Sequence, residues 1–151
     1  ICFEWVNANK ARTVGAEIMA AYQLDQLRPY VNLGAQKRRL EYGTGMKTWR
    51  SGLPRYQTRA GVQWQVMEPL ELDFYARSTG KSRRQGYNSK GEPEKQRTSS
   101  YAEFNLAAYY QPLPQLDIAV QALNLTNRSY QNPDELPAAG RGLDVEFRWR
   151  F

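Results

Sequence analysis

An all-β fold of antiparallel strands is predicted by three observations on the 151-residue sequence. Apolar and polar residues alternate with period 2 over most of the chain, no stretch offers the periodicity of a credible helix, and the connections between runs are by turns short and long. The first run has Val14, Ala16, Ile18, Ala20, Tyr22 and Leu24 on one face, with Glu17 and Gln23 on the other. The pattern returns at Val31, Leu33 and Ala35, then at Tyr56, Thr58, Ala60, Val62, Trp64 and Val66, interleaved with residues such as Arg59, Gly61 and Gln63. A fourth run sets Leu70, Leu72, Phe74 and Ala76 against Glu71, Asp73, Tyr75 and Arg77. The fifth sets Ala102, Phe104, Leu106, Ala108 and Tyr110 against Tyr101, Glu103 and Asn105, and the sixth sets Leu116, Ile118, Val120 and Ala122 against Asp117 and Gln121. The last is the most regular, with Leu143, Val145, Phe147, Trp149 and Phe151 alternating with Asp144, Glu146, Arg148 and Arg150.

Alternation leaves open which face is inside, because a soluble barrel hides its apolar face and an outer-membrane barrel turns that face to lipid. No window approaches the roughly 18 to 20 apolar residues of a membrane helix, but a spanning strand needs only about 9 to 11 alternating ones. The connections separate by length: Asp25 to Arg28, Met67 to Pro69 and Gln111 to Pro114 are short, whereas Gly43 to Pro54, Gly80 to Thr98 and Asn127 to Arg141 are long. Short turns at one end and long loops at the other are the habit of membrane barrels. Aromatics including Tyr22, Tyr30, Tyr56, Tyr101, Tyr110 and Tyr130 fall near strand ends, as interfacial belts require. The fold class expected is therefore an antiparallel transmembrane β-barrel segment. The location expected is the bacterial outer membrane, with the long loops outside.

Composition bounds the chemistry. Histidine is absent and Cys2 is the single cysteine, which removes histidine acid–base catalysis, the usual zinc sites and an internal disulfide. Lys and Arg number 21 against 15 Asp and Glu, so a net charge of +6 predicts anionic neighbours. Asp144 and Glu146 share a face with Arg148 and Arg150, which favours ion pairing over carboxylates poised for catalysis. No enzymatic activity, metal site or resident cofactor is expected. Nucleic acid is not an expected partner, because the basic residues sit in loops and not on a continuous basic face with stacking aromatics.

The carboxyl end is the most specific feature. Phe151 closes an alternating strand in which Phe147, Trp149 and Phe151 occupy the last three apolar positions. This ending resembles the terminal signal by which the barrel assembly machinery recognises outer-membrane proteins, and those three residues would carry it. Asn7, Ala11, Arg12, Gly15 and Glu17 are similar to an Asn-x-x-x-Ala-Arg-x-x-Gly-x-Glu segment of TonB-dependent outer-membrane receptors. Asn124-Leu125-Thr126-Asn127-Arg128-Ser129-Tyr130 resembles that family's Asn-Leu-Phe-Asp-Lys-x-Tyr stretch, and Gly140-Arg141 resembles the pair that opens its terminal strand. Thr126 and Asn127 depart from the usual aromatic and Asp, which suits turn supports and not ligand contacts.

The resemblance implies about seven strands of a 22-stranded barrel. Residues 1–151 would be the C-terminal part of the receptor barrel, with the plug domain and the TonB-contacting segment outside this chain. Ile1 follows no signal-like segment in view, so the N-terminus is treated as an arbitrary cut. The implied function is TonB-dependent uptake of an iron-siderophore or similar scarce chelate, with the TonB complex acting through the missing N-terminal part. The alternative is a small complete eight-stranded barrel with a structural or adhesion role. It needs Phe3 to Asn9 as an eighth strand, with Lys10 and Ala11 as its turn.

Candidate ligand residues lie in the long connections. Lys81, Arg83, Arg84 and Tyr87 occupy a strongly basic loop, and Lys47, Trp49 and Arg50 offer an aromatic beside two cations in another. Such groups can meet a ferric siderophore or similar small anionic ligand, or lipopolysaccharide phosphates. Lys37-Arg38-Arg39 ends a strand near the outer leaflet, where outer-membrane lipid and lipopolysaccharide phosphate are the expected contacts.

Overall fold

The computed structural model describes residues 8–42, 47–48, 52–87, 90, 93–130, 137–138 and 140–151. Seven long strands follow one another as an antiparallel meander: β1 (Ala8–Ala21), β2 (Leu27–Tyr42), β4 (Tyr56–Met67), β5 (Leu70–Thr79), β8 (Tyr101–Leu113), β9 (Leu116–Leu123) and β10 (Gly142–Trp149). Three shorter strands lie in the long connections. β3 (Lys47–Thr48) pairs with β2, while β6 (Ser82–Tyr87) and β7 (Pro93–Thr98) form a separate hairpin. No helix among the described residues is long and apolar enough to cross a membrane.

The seven alternating runs of the sequence are these seven strands, and the lengths of the connections segregate as expected. Leu24 and Leu27 exchange backbone hydrogen bonds of 2.7 and 2.6 Å around Asp25, whose φ of 45° is left-handed and is tolerated by an aspartate at a turn. Two differences have physical causes. β1 begins at Ala8, well before the apolar run starts at Val14; Lys10 and Arg12 occupy apolar-face positions in its first rows, at the long-connection end, and interrupt the hydrophobic signal there. The β6–β7 hairpin falls inside a connection expected to be a loop; a hairpin of mostly charged and polar residues carries no apolar alternation in its sequence.

The register fixes the faces. Val31 stands opposite Ala60, Val62 opposite Phe74, Phe74 opposite Leu106, and Ile118 opposite both Tyr110 and Phe147, so the apolar positions of every long strand share one face. That face is exposed: Ile18 is 61%, Phe74 51% and Phe147 69% accessible. The opposite face is where burial occurs. Asp73, Tyr75, Tyr101, Glu103, Asn105 and Ala107 are buried there, so the sheet curls around its polar side. This inverts a soluble barrel, and it is the arrangement of a wall with lipid outside and water within. Lys10 and Ala11 lie inside β1, paired with Glu41 and Leu40, and so make no turn for an additional strand.

The face assignment predicts an asymmetry. A lysine at Phe74, in the middle of the apolar face, should cost about 2–4 kcal/mol. Gln63→Lys, on the polar face, should be tolerated. The yield of heat-modifiable barrel in outer membranes checks both, and equal yields would contradict the assigned faces.

Candidate functional site

The long connections converge at one end of the wall. Within the β6–β7 hairpin, Ser82 pairs with Thr98, Arg83 with Arg97 and Tyr87 with Pro93. Ser82 and Thr98 are buried, whereas Arg83, Arg97 and the neighbouring Lys81 are exposed. Arg84 and Tyr87 belong to β6, and Lys47 pairs in backbone register with Glu41 at the start of the preceding long connection. Trp49 and Arg50 lie outside the described residues. The two connections are joined directly: the N–H of Gly52 donates to the carbonyl of Arg83 at 3.1 Å. The structure therefore brings the backbone of the two candidate loops together. Arg83 opposite Arg97 is a like-charge pair, which is unfavourable across a hairpin and raises the local attraction for an anion.

Beneath the loops, the polar face carries a cluster that alternation alone did not disclose. Glu103 of β8 is reached by Arg77 of β5 (Nε to Oε1, 3.3 Å) and by Tyr130, whose hydroxyl donates to Oε2 at 2.6 Å. The Tyr130 ring stacks on Tyr101 with centroids 3.8 Å apart and planes 11° from parallel. Burial raises the Tyr130 phenol pKa above its ordinary value, and the hydrogen bond to Glu103 and that carboxylate's charge act in the same direction. Tyr101 and Tyr130 are thus anchors of the polar face, not members of an interfacial belt as their nearness to strand ends suggested.

Tyr30 departs from that expectation in the same way, because its parity on β2 places it opposite Gly61 on the polar face. Its hydroxyl lies 3.0 Å from both carboxylate oxygens of Asp73 and accepts from Arg59 Nε at 3.1 Å. Arg59 also bonds Asp73 at 2.9 Å, and its guanidinium carbon lies 3.9 Å from the Tyr75 ring centroid. Gly61 makes this possible. A Cβ there would stand 2.7 Å from the Phe74 carbonyl oxygen and 2.9 Å from the Tyr30 hydroxyl. The signal that could have found the cluster was register, which one-strand periodicity does not contain.

The Asn124–Tyr130 motif builds the entry to the last long connection. Asn124 and Asn127 adopt φ of 49° and 52°, left-handed values that asparagine accepts more readily than most residues. Asn124 is buried and its side chain bonds the backbone N–H and carbonyl of Arg128, both at 2.9 Å. Asn127 Oδ1 accepts the Arg141 N–H at 3.2 Å, and a Cβ on Gly140 would come within 2.8 Å of that oxygen. An Asp could accept the same bond, so the departure at Asn127 leaves this support intact. Arg148 pairs with Glu146 at 3.0 Å and Arg150 with Asp117, so the carboxylates near the terminal strand are engaged with arginines. Among the described residues, no group of three or more His, Cys, Asp or Glu could hold a metal ion.

Residues 1–125 match the model of the TonB dependent receptor-like, beta-barrel family. Among solved structures, the chain is similar to the FrpB iron transporter from Neisseria meningitidis, with a TM-score of 0.75 and 20% identity over 96% of this chain and 24% of that one. The ferripyoverdine receptor of the outer membrane of Pseudomonas aeruginosa gives 0.65 and 22% over 92% of this chain and 19% of that one. The copper transporter OprC gives 0.73 and 15% over 93% and 24%. These likenesses establish the fold, and the chain spans about a fifth to a quarter of each of those proteins. No curated protein sequence matches the chain.

The Tyr130 anchor has a pH signature. A phenol whose folded pKa is raised contributes stability that is complete below the unfolded value of 10.0 and is lost as pH rises through the higher folded value. In an alkaline titration followed by tyrosinate absorbance, the signal missing from Tyr130→Phe should lie above pH 10.0. Ionisation of that residue at or below the ordinary value would show that the Glu103 bond is not made.

Proposed function

Because the chain belongs to the TonB dependent receptor-like β-barrel family of outer-membrane proteins, we propose that it forms part of the wall of a receptor for a scarce metal chelate. The ligand class is a ferric siderophore or a similar small anionic compound. The observation that carries this reading is the junction of the two outer connections at Gly52 and Arg83, which sets Lys81, Arg83 and Arg97 at the rim of a polar-faced wall. Cations at such a rim raise the local concentration of anionic solutes and steer them inward. The similarity to a ferripyoverdine receptor and to iron and copper transporters supports a metal chelate as cargo.

In this reading residues 1–151 are the C-terminal part of the barrel, and the plug and the segment that contacts the TonB complex belong to polypeptide outside this chain. Parity supports it over a small closed barrel. Among the described residues, seven long antiparallel strands leave β1 and β10 running in the same direction, so joining those two would make a parallel pair, whereas single-chain bacterial outer-membrane barrels have an even number of antiparallel strands. The chain contributes binding and passage and no catalytic step. Phe147, Trp149 and Phe151 serve recognition by the assembly machinery: Phe147 and Trp149 pair with Ile118 and Leu116 on the lipid face, and the Arg150 N–H bonds the Gln115 carbonyl at 2.9 Å, holding the final residues in line.

Two measurements test the reading. Replacing Lys81, Arg83 and Arg84 by Gln in the complete receptor should slow uptake of an anionic ferric chelate on the order of ten-fold at low salt, and less at high salt. Unchanged uptake of every anionic chelate tried would remove the ligand role of these residues. Deleting Phe151 should lower the yield of heat-modifiable barrel in the outer membrane, and a normal yield would sink the assembly role.

A further inference from the structure

Exposure alternates along the β6–β7 hairpin. Lys81, Arg83, Arg97 and Ser99 are exposed, whereas Ser82 and Thr98 between them are buried. One face of the hairpin is therefore packed and the other is open to solutes. The register in which β5 meets β8, with Thr79 opposite Tyr101, carries through to Ser82 opposite Thr98 with no residue inserted on either side. Lys81, Arg83 and Arg97 thus hold the parity that belongs, on β5 and β8, to Arg77 and Glu103 on the polar side of the wall.

Arg83 stands directly opposite Arg97, and Lys81 lies two positions from Arg83 on the same side. Glu94, the one carboxylate of β7, is opposite Gly86 and so holds the other parity. Among the described residues no carboxylate pairs with Lys81, Arg83 or Arg97, in contrast to Arg59 and Arg77 below, whose charges are met by Asp73 and Glu103. Directly opposed residues of an antiparallel pair have Cα atoms about 4.5–5.5 Å apart, so the two arginines repel at close range. The backbone is not free to shift away from this, because the Ser82–Thr98 pair is packed and Gly52 holds the Arg83 carbonyl. A ligand that brings one anionic group to each arginine relieves the repulsion.

The kind of anion follows from the donor. A guanidinium presents two parallel N–H groups in one plane, which match the two oxygens of a single carboxylate. In a catecholate chelate the charged oxygens are spent on the metal and aryl rings form much of the surface, which calls for ring partners. Lys81, Arg83, Arg97 and Ser99 on the open face supply none. A neutral hydroxamate leaves the repulsion where it was. Resting on the reading of this rim as the capture site of a metal chelate, we infer that Arg83 and Arg97 form a two-pronged site selective for a polycarboxylate chelate. One carboxylate seats on each guanidinium, and Lys81 takes a further oxygen.

The test uses the complete receptor, purified from outer membranes and titrated with ferric dicitrate, a ferric tris-catechol complex and a neutral ferric trihydroxamate. Ferric dicitrate should bind the unaltered protein about ten-fold or more tightly than either of the others. The double variant Arg83→Lys with Arg97→Lys keeps both charges and removes both forks. It should weaken ferric dicitrate roughly ten-fold and leave the salt dependence of its association rate as it is. Dicitrate binding that the two lysines fully preserve overturns the site, because point charges would then suffice. Tighter binding of the catechol or hydroxamate probe than of ferric dicitrate overturns the carboxylate assignment, needs no folded variant and leaves the transport reading standing. Failure of all three probes to bind removes the transport reading and this inference with it. Inorganic phosphate that displaced ferric dicitrate as well as free citrate does would also overturn the assignment, in favour of a phosphate ligand.

Discussion

In hydrocarbon a backbone N–H or C=O without a partner costs several kilocalories per mole, so a sheet can cross a bilayer only if its strands satisfy one another. That requirement organises the whole wall. Each of the five inner long strands pairs along both edges, and the ladders between neighbours cover the spanning rows almost without interruption. Once the backbone is paired in this way, side-chain direction is dictated by parity, and the sequence has one degree of freedom left at each position: which solvent that side chain meets. The strict alternation is the record of that choice, and it explains how a chain that is 24% charged can present Ile18, Phe74 and Phe147 to lipid.

A curved sheet with its polar side inward then meets the opposite difficulty to a soluble protein, because it buries hydrogen-bonding groups and not hydrocarbon. Asp73 and Glu103 are almost fully covered, and each is answered by an arginine and a tyrosine hydroxyl drawn from other strands or from the last long connection. Breaking a fully buried pair costs about 3–5 kcal/mol. Arg59 and Arg77 remain partly accessible, so water screens these pairs and their contribution is smaller. Their structural effect is specificity of register: Arg59, Asp73, Tyr30 and Tyr75 meet only if β2, β4 and β5 are aligned as they are, and Gly61 leaves the space for that alignment.

What the sequence disclosed and what it withheld divide along this line. The seven spanning strands, their faces and the separation of short from long connections were legible because lipid imposes a period on every one of them. Lys10 and Arg12 concealed the start of β1, since cations at lipid-side positions look like the end of an apolar run. The β6–β7 hairpin was concealed because it stands in water, where Ser82 to Tyr87 need no apolar face. Tyr30, Tyr101 and Tyr130 lie near strand ends, where an interfacial belt is expected, but each is set by its partner across the sheet. Of the candidate rim residues, Lys81 and Arg83 were found by composition, whereas the link from Gly52 to Arg83 and the opposition of Arg83 to Arg97 are facts of pairing.

The net charge of +6 becomes intelligible by the same parity. Arg59, Arg77, Arg148 and Arg150 face the wet side and are matched by Asp73, Glu103, Glu146 and Asp117, so they add polarity without adding net charge. Beyond those pairs, cations gather at the long-connection end, in two places with different neighbours. Lys81, Arg83 and Arg97 stand in the connections, exposed to water and to solutes arriving from outside. Lys10, Arg12, Lys37 and Arg39 stand on the lipid side of β1 and β2, just above their apolar rows. Both groups are basic, and composition cannot separate them. Strand parity does, because a shift of one residue exchanges the solute-facing side of the wall for the lipid-facing one.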